Sequence, residues 1–283
     1  MVLPKGGGVM AEQIPPTIRK GDRGSVVAKW QSIVGVSADG AFGPKTEAAT
    51  IAWQRRNGLA PDGVVGPLTW GRWFGLSSAP DPSGSLIFPF VQAKYFNVRP
   101  ARAISLIVIH TMEWGETPKT AASCAQFFTD PKRKDVTGAI VPAPASAHLC
   151  VDNFSTVQCV AFKDIAWHTP GRLGGDYVNN FSIGIEHAGF ARQTAIEWAD
   201  DYSTAMLARS AGIVAKLCTL YGIAPIRLSA DDLKAGKVNG ITGHVDCTNA
   251  SGSGSHWDPG PSFPWSSYIA RVEAAMNESG VAP

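Results

Sequence analysis

The residues best suited to chemistry in this chain are its histidines. There are six: His110, His148, His168, His187, His244 and His256. Two neutral imidazoles and one carboxylate make the donor set of a catalytic zinc ion, because three protein ligands leave a fourth position open for water. Such a metal lowers the pKa of that water from about 15.7 to roughly 7 and polarises a carbonyl. His110 closes the apolar run Ile104–Ile109, and His244 follows Thr242-Gly243. Asp258 lies fourteen positions beyond His244, within His256-Trp257-Asp258-Pro259-Gly260. Spacing alone does not select a triplet. In an extended segment residues 256 and 258 share a face, so His256 competes as a third ligand. Cys247, three residues after His244, is another rival.

Other chemistries find less support. No G-x-S-x-G elbow occurs, which argues against a serine hydrolase. The five cysteines, Cys124, Cys150, Cys159, Cys218 and Cys247, are odd in number and include no CxxC, so no disulfide framework is indicated. Free buried thiols are expected, and a Cys150–Cys159 bridge cannot be deduced. The net charge is +2 and no dense Lys/Arg stripe interleaves with aromatics, so no nucleic-acid partner is expected. No stretch reaches the roughly 18 apolar residues of a membrane helix, so no membrane insertion is expected. Residues Met1–Lys20, with Gly6-Gly7-Gly8 and Pro15-Pro16, read as a flexible tail without the apolar region of a signal peptide.

Distant residues can converge only on a frame. At 283 residues, 45% of them hydrophobic, the chain is long enough for two domains. Ile104–Ile109 reads as a strand buried on both faces. Thr117-Pro118 reads as the cap and first turn of a helix through Phe128. Ala147–Val151 and Val157–Phe162 read as strands joined by an Asp152-Asn153 turn, and Ser182–Glu186 as another strand. Thr194–Tyr221 has the pattern of a long helix stopped by Gly222, and Trp265–Met276 of a closing helix. His244 is expected to begin a loop, and Asn249–Ser255 to form a flexible rim. The fold class is α/β, a mixed central sheet flanked by helices.

The N-terminal part is different. Val26, Val27, Trp30, Ile33 and Val34 fall at helical spacing before Gly35. Asp39-Gly40-Ala41-Phe42-Gly43-Pro44-Lys45-Thr46 then recurs as Asp62-Gly63-Val64-Val65-Gly66-Pro67-Leu68-Thr69. Each copy makes a positive-φ turn at Asp-Gly, plugs the core with Phe42 or Val65, and starts a helix with proline at its first position. The helices carry Ala49, Ala52 and Trp53 in one case and Leu68, Trp70, Trp73 and Phe74 in the other. A small all-α three-helix domain over residues 17–75 is expected. Residues 76–85, rich in Ser, Pro, Gly and Asp, have linker composition. The second domain runs over 86–283.

The paired D-G-x-[apolar]-G-P-x-T blocks resemble the peptidoglycan-binding domain that accompanies many wall hydrolases. In the second domain, Leu106-Ile107-Val108-Ile109-His110-Thr111, Ser146-Ala147-His148, Trp167-His168, Ser182-Ile183-Gly184-Ile185-Glu186, Thr242-Gly243-His244 and Asp258-Pro259-Gly260 occur in order. This order resembles the zinc N-acetylmuramoyl-L-alanine amidases, whose superfamily includes the peptidoglycan recognition proteins. The resemblance implies hydrolysis of the bond between N-acetylmuramic acid and L-alanine, with His110, His244 and Asp258 holding one Zn²⁺. It implies Glu186 as the acid that handles the water proton, and His148 and His168 as groove-lining, substrate-binding residues. His256 stands where many relatives have a lysine that stabilises the oxyanion, and it is expected to take that catalytic role. His187 is expected to be structural. The expected partner is bacterial peptidoglycan, and the chain is expected to act as a monomer. Its architecture resembles a bacteriophage endolysin made in the host cytoplasm and released through a holin pore. A non-catalytic peptidoglycan-binding protein on the same fold is the alternative.

Overall fold

A computed structural model describes residues 15–57, 59, 61–73, 86, 88–98 and 103–278. The chain divides into two compact units, within residues 1–77 and 78–283. Residues 76–85, read as a linker, lie outside those described, as do Phe74 and most of the expected tail.

The first unit holds three helices, α1 (Ser25–Val34), α2 (Pro44–Arg56) and α3 (Pro67–Trp73). Gly35 stops α1 in the left-handed conformation, and Gly40 and Gly63 take positive φ in the two Asp-Gly turns. Trp30, Trp53 and Trp70 form the core with Phe42 and Val65, and Trp30 meets the other two indoles edge-on at 5.1 Å. Trp73, carried on the same helix as Trp70, is exposed. The last part of the expected tail is ordered: Ile18 is buried and exchanges two backbone hydrogen bonds with Val65.

The repeat extends to a polar network that apolar patterning does not reveal. Gln31 is buried and donates to Asp39 Oδ1, the Ala41 carbonyl and Thr46 Oγ1, while its Oε1 accepts from the Gly40 amide. Twenty-three residues later, Gln54 does the same with Asp62, Val64, Thr69 and Gly63. Each buried amide thereby ties a helix to the turn that follows it.

The second unit is built on a five-stranded sheet. Its strands are β2 (Leu106–Thr111), β5 (Leu149–Val151), β6 (Thr156–Gln158), β10 (Ser182–His187) and β11 (Gly240–Gly243). Their order is β11-β2-β10-β5-β6; all neighbours are parallel except β5 and β6. Three short antiparallel pairs flank it: β1 (Phe96–Val98) with β7 (Asp164–Ala166), β3 (Lys132–Lys134) with β4 (Ile140–Pro142), and β8 (Arg172–Leu173) with β9 (Asp176–Tyr177). At two or three residues each, these strands carry too few positions for a period to be read.

Side-chain alternation decides what each sheet face does. Ile107, Ile109, Ile183, Ile185, Leu149 and Ile241 turn toward α5 (Asp201–Tyr221) and α8 (Trp265–Glu278), packing on Met206, Val214, Leu217 and Val272. Leu106 and Val108 turn the other way, toward Leu228, Leu233 and Cys247 around α6 (Ala230–Lys234) and α7 (His244–Ser251). Farther along, Cys150 and Val157 pack on α4 (Thr120–Phe128). His110 and Glu186 follow the alternation onto the face away from α5 and α8.

Several expected boundaries move. The long helix starts at Asp201 rather than Thr194, because Asp200 Oδ1 accepts from the Ser203 amide and caps it, while Glu197–Ala199 forms a separate short turn. Thr117-Pro118 makes a turn ahead of α4 instead of its first turn. His244 opens a helix, not a loop. Asn249, Ala250 and Ser251 of the expected flexible rim are helical, and α7 is capped by Gly252 in the left-handed conformation. All five cysteines are buried free thiols, with Cys150 and Cys159 Sγ atoms 3.7 Å apart.

Candidate metal centre

Strands β2, β10 and β11 are parallel, so their C-terminal ends meet at one edge of the sheet, where α/β folds assemble sites. His110 sits near the end of β2 and Glu186 near the end of β10; the two are register partners. β11 ends at Gly243, and His244 is the first residue of α7. Asp246 fixes that strand-to-helix turn: Oδ2 accepts from the Gly243 amide and pairs with Arg227 at 2.6 Å, and Oδ1 accepts from the Ala230 amide. Asp258 is delivered by a returning segment whose carbonyl accepts from the Val245 amide at 2.8 Å.

His110, His244 and Asp258 converge and are buried. His110 Nδ1 lies 3.1 Å from His244 Nδ1 and 3.1 Å from Asp258 Oδ2; His244 Nδ1 lies 3.2 Å from Asp258 Oδ1. Burial works to raise the Asp258 carboxyl pKa, but the adjoining imidazoles of His110 and His244 outweigh it and hold the group well below the carboxylate range. Burial, with His110 nearby, lowers the pKa of His244 against the pull of Asp258. His244 Nε2 is buried without a protein partner. One anionic carboxylate and two imidazoles this close, largely shielded from water, form a group that could hold a metal ion.

Glu186 stands beside this group. Its Oε2 is buried with no hydrogen-bond partner. Burial pushes the carboxyl well above the usual range, with Cys124, Asp258 and Glu113 adding to the rise.

The other expected residues divide. His256 lies outside the converging trio: it stacks on the His244 ring at 4.1 Å, its Nδ1 is 3.8 Å from Asp258 Oδ1, and it is largely exposed. Burial and the neighbouring His244 lower its pKa. Cys247 packs with Leu106 and Val108, and burial pushes its thiol up, so it is not among the converging donors. His148 does not line a groove. It is wholly buried, with Nδ1 accepting from the Gly184 amide and Nε2 facing the Asp164 carbonyl. His168 is also buried and faces His110, not solvent: its Nδ1 lies 3.0 Å from His110 Nε2. Both corrections have one cause. A histidine near a strand can point to either face, and nothing in Ser146-Ala147-His148 or Trp167-His168 says which. His187 is buried between the His110 carbonyl and Ser210 Oγ.

Sequence reasoning missed Ser182, Gly184 and the Arg227–Asp246 pair. Only the glycine carried a signal, because a glycine inside a strand often marks close approach by another group.

The comparisons bear on what such a centre does. Residues 100–261 match the N-acetylmuramoyl-L-alanine amidase family model. This chain belongs to that family. The amidase is thus a hydrolase whose substrate is peptidoglycan, and residues 29–72 match a peptidoglycan binding domain model. A curated relative, N-acetylmuramoyl-L-alanine amidase A of Achromobacter lyticus, is 27% identical over 177 residues, spanning 58% of the amidase described here and 80% of the relative. Among solved structures, the hydrolase AmiA of Staphylococcus aureus in complex with its ligand shares 17% identity at a TM-score of 0.47, covering 71% of this chain and 91% of that one. A mutant endolysin from Bacillus subtilis shares 18% identity at 0.41, covering 66% and 99%.

Proposed function

We propose that this amidase cuts the bond between N-acetylmuramic acid and L-alanine, using one zinc ion held by His110, His244 and Asp258, as a lytic enzyme of the cell wall. The observation that carries the reading is the spacing of the donors. Zinc binds imidazole nitrogen at about 2.0–2.1 Å, so two donors of a tetrahedral site stand about 3.3–3.4 Å apart. The two imidazole nitrogens, 3.1 Å apart, lie close to that edge, and Asp258 sets one carboxylate oxygen 3.1 Å from His110 Nδ1 and the other 3.2 Å from His244 Nδ1. Imidazole and carboxylate are also donors that zinc accepts in open, catalytic sites.

When bound, zinc supplies a water of lowered pKa and polarises the lactyl carbonyl. The remaining work falls to side chains. Glu186 takes a proton from the attacking water and passes it to the amine nitrogen of L-alanine as the amide C–N bond breaks. Its unpartnered Oε2 is the atom for that transfer. His256, stacked on His244 and open to solvent, donates an N–H to the developing oxyanion. With its pKa lowered, it does so mainly as a neutral imidazole, a weaker stabiliser than a lysine ammonium.

Residues 17–75 are assigned to wall binding and 86–283 to catalysis, joined by 76–85. A wall-binding module beside an amidase domain suits an enzyme that must stay on an insoluble substrate, and this supports the lytic role. Mass spectrometry of wall fragments after digestion tests the reading. Free L-alanyl N-termini and glycan strands with intact N-acetylmuramic acid are expected. New reducing sugar ends, or stem peptides cut elsewhere, contradict it.

A further inference from the structure

His168, which resemblance assigns to substrate, makes contacts of a different kind. A chain of hydrogen bonds runs away from the metal centre through buried groups. His110 Nε2 lies 3.0 Å from His168 Nδ1, and His168 Nε2 lies 3.1 Å from Ser182 Oγ. Ser182 Oγ in turn donates to the Val178 carbonyl at 2.7 Å. The polarity of this chain is fixed at its far end, because a carbonyl can only accept. The single hydroxyl proton of Ser182 is committed to Val178, so its oxygen accepts from His168 Nε2–H. His168 Nδ1 is then a lone pair, and it accepts from His110 Nε2–H. A proton on Nε2 leaves His110 Nδ1 as a lone pair, aimed at His244 and Asp258.

A second observation shows that the ring is seated deliberately. Ser182, Gly184 and Glu186 share one face of β10, and the His168 ring lies against Gly184. A Cβ at Gly184 would stand 2.7 Å from His168 Nδ1 and 2.8 Å from Cδ2. No ordinary side chain fits there. The glycine inside this strand is the space His168 occupies.

We propose that His168 is a positioning residue, which with Ser182 and the Val178 carbonyl fixes the tautomer and ring orientation of His110 so that Nδ1 serves as metal donor. The inference rests on the zinc reading above and adds the outer partner that a ligating histidine requires.

The test is a competitive zinc titration of the metal-stripped full chain against a chromophoric chelator. It compares the parent, His168→Asn, His168→Leu and Gly184→Ala. Asparagine can offer Oδ1 in place of His168 Nδ1, so His168→Asn is expected to retain more affinity than His168→Leu. Leucine offers no acceptor, and alanine at 184 displaces the ring without deleting any partner. Both should weaken zinc binding by roughly 10–100-fold, the usual cost of losing an outer-shell partner. Parent-like affinity in a folded His168→Leu protein overturns the proposal. Should that variant fail to fold, ¹⁵N NMR of the parent's His110 ring decides: a proton on Nε2 supports the proposal, and a proton on Nδ1 in the zinc-free protein overturns it. A parent that binds no zinc refutes the metal reading itself, whereas a parent that binds while the variants match it refutes only the role of His168.

Discussion

His110 and Glu186 are neighbours because two parallel strands are in register. In the β2/β10 pair, Leu106 lies opposite Ser182 and His110 opposite Glu186, so both side chains leave the same face at the same edge. A candidate metal ligand and a candidate proton carrier are thus set side by side by the register of two strands.

Glu186→Gln separates the two roles. The amide keeps the shape of the carboxyl but cannot carry the proton. Zinc affinity should stay near the parent value while kcat falls on the order of 10²-fold or more. Steady-state rates on soluble muropeptide, with zinc content measured on the same samples, check this. A variant as fast as the parent removes Glu186 from the proton path.

Much of this centre was legible from sequence, and the reason differs by residue. His110 ends a run of apolar residues that can only be a buried strand, so its place at a sheet edge followed. His244 and Asp258 have no such frame; the order of short blocks, not periodicity, singled them out. The helical start at His244 was hidden because its stabilising groups, Asp246 and Arg227, are joined across nineteen positions in sequence. His148 and His168 were placed on the wrong surface because histidine suits a groove and a core equally. The paired short strands were missed for want of length. In the first unit the repeat disclosed both turns, but apolar patterning does not single out Gln31 and Gln54, which hold them.

Those two glutamines give a stability prediction. Gln54→Leu strips Asp62, the Val64 carbonyl and the Gly63 amide of a buried partner. Of these groups only the Gly63 amide belongs to a buried residue, and leaving such a group unsatisfied costs about 1–3 kcal/mol, so the first unit should lose about that much. Gln31→Leu should cost a similar amount by the repeat. Trp73→Ala, at an exposed position, should stay within about 0.5 kcal/mol. Calorimetry of the full chain reads all three, and equal unfolding curves for Gln54→Leu and Trp73→Ala would show the network to be idle.

Gly260 links stability to the metal centre. Its φ is 92°, and a Cβ there would overlap the Ala191 carbonyl. Gly260→Ala therefore meets both backbone strain and a clash, two residues from Asp258. A loss above about 2 kcal/mol, with weaker zinc binding, is expected. Gly174→Ala provides the control: φ is 57° but the space around it is open, so only the left-handed cost of about 1–2 kcal/mol applies. Equal unfolding midpoints for the two variants run against the clash.

The central claim is that one metal ion joins His110, His244 and Asp258. Zinc titration of the chelator-stripped parent and of Asp258→Ala, read by calorimetry, tests it most directly. One equivalent bound by the parent, with binding lost or severely weakened in a folded Asp258→Ala protein, is the expected result. The same stoichiometry and affinity in both proteins would place the metal elsewhere and contradict the account.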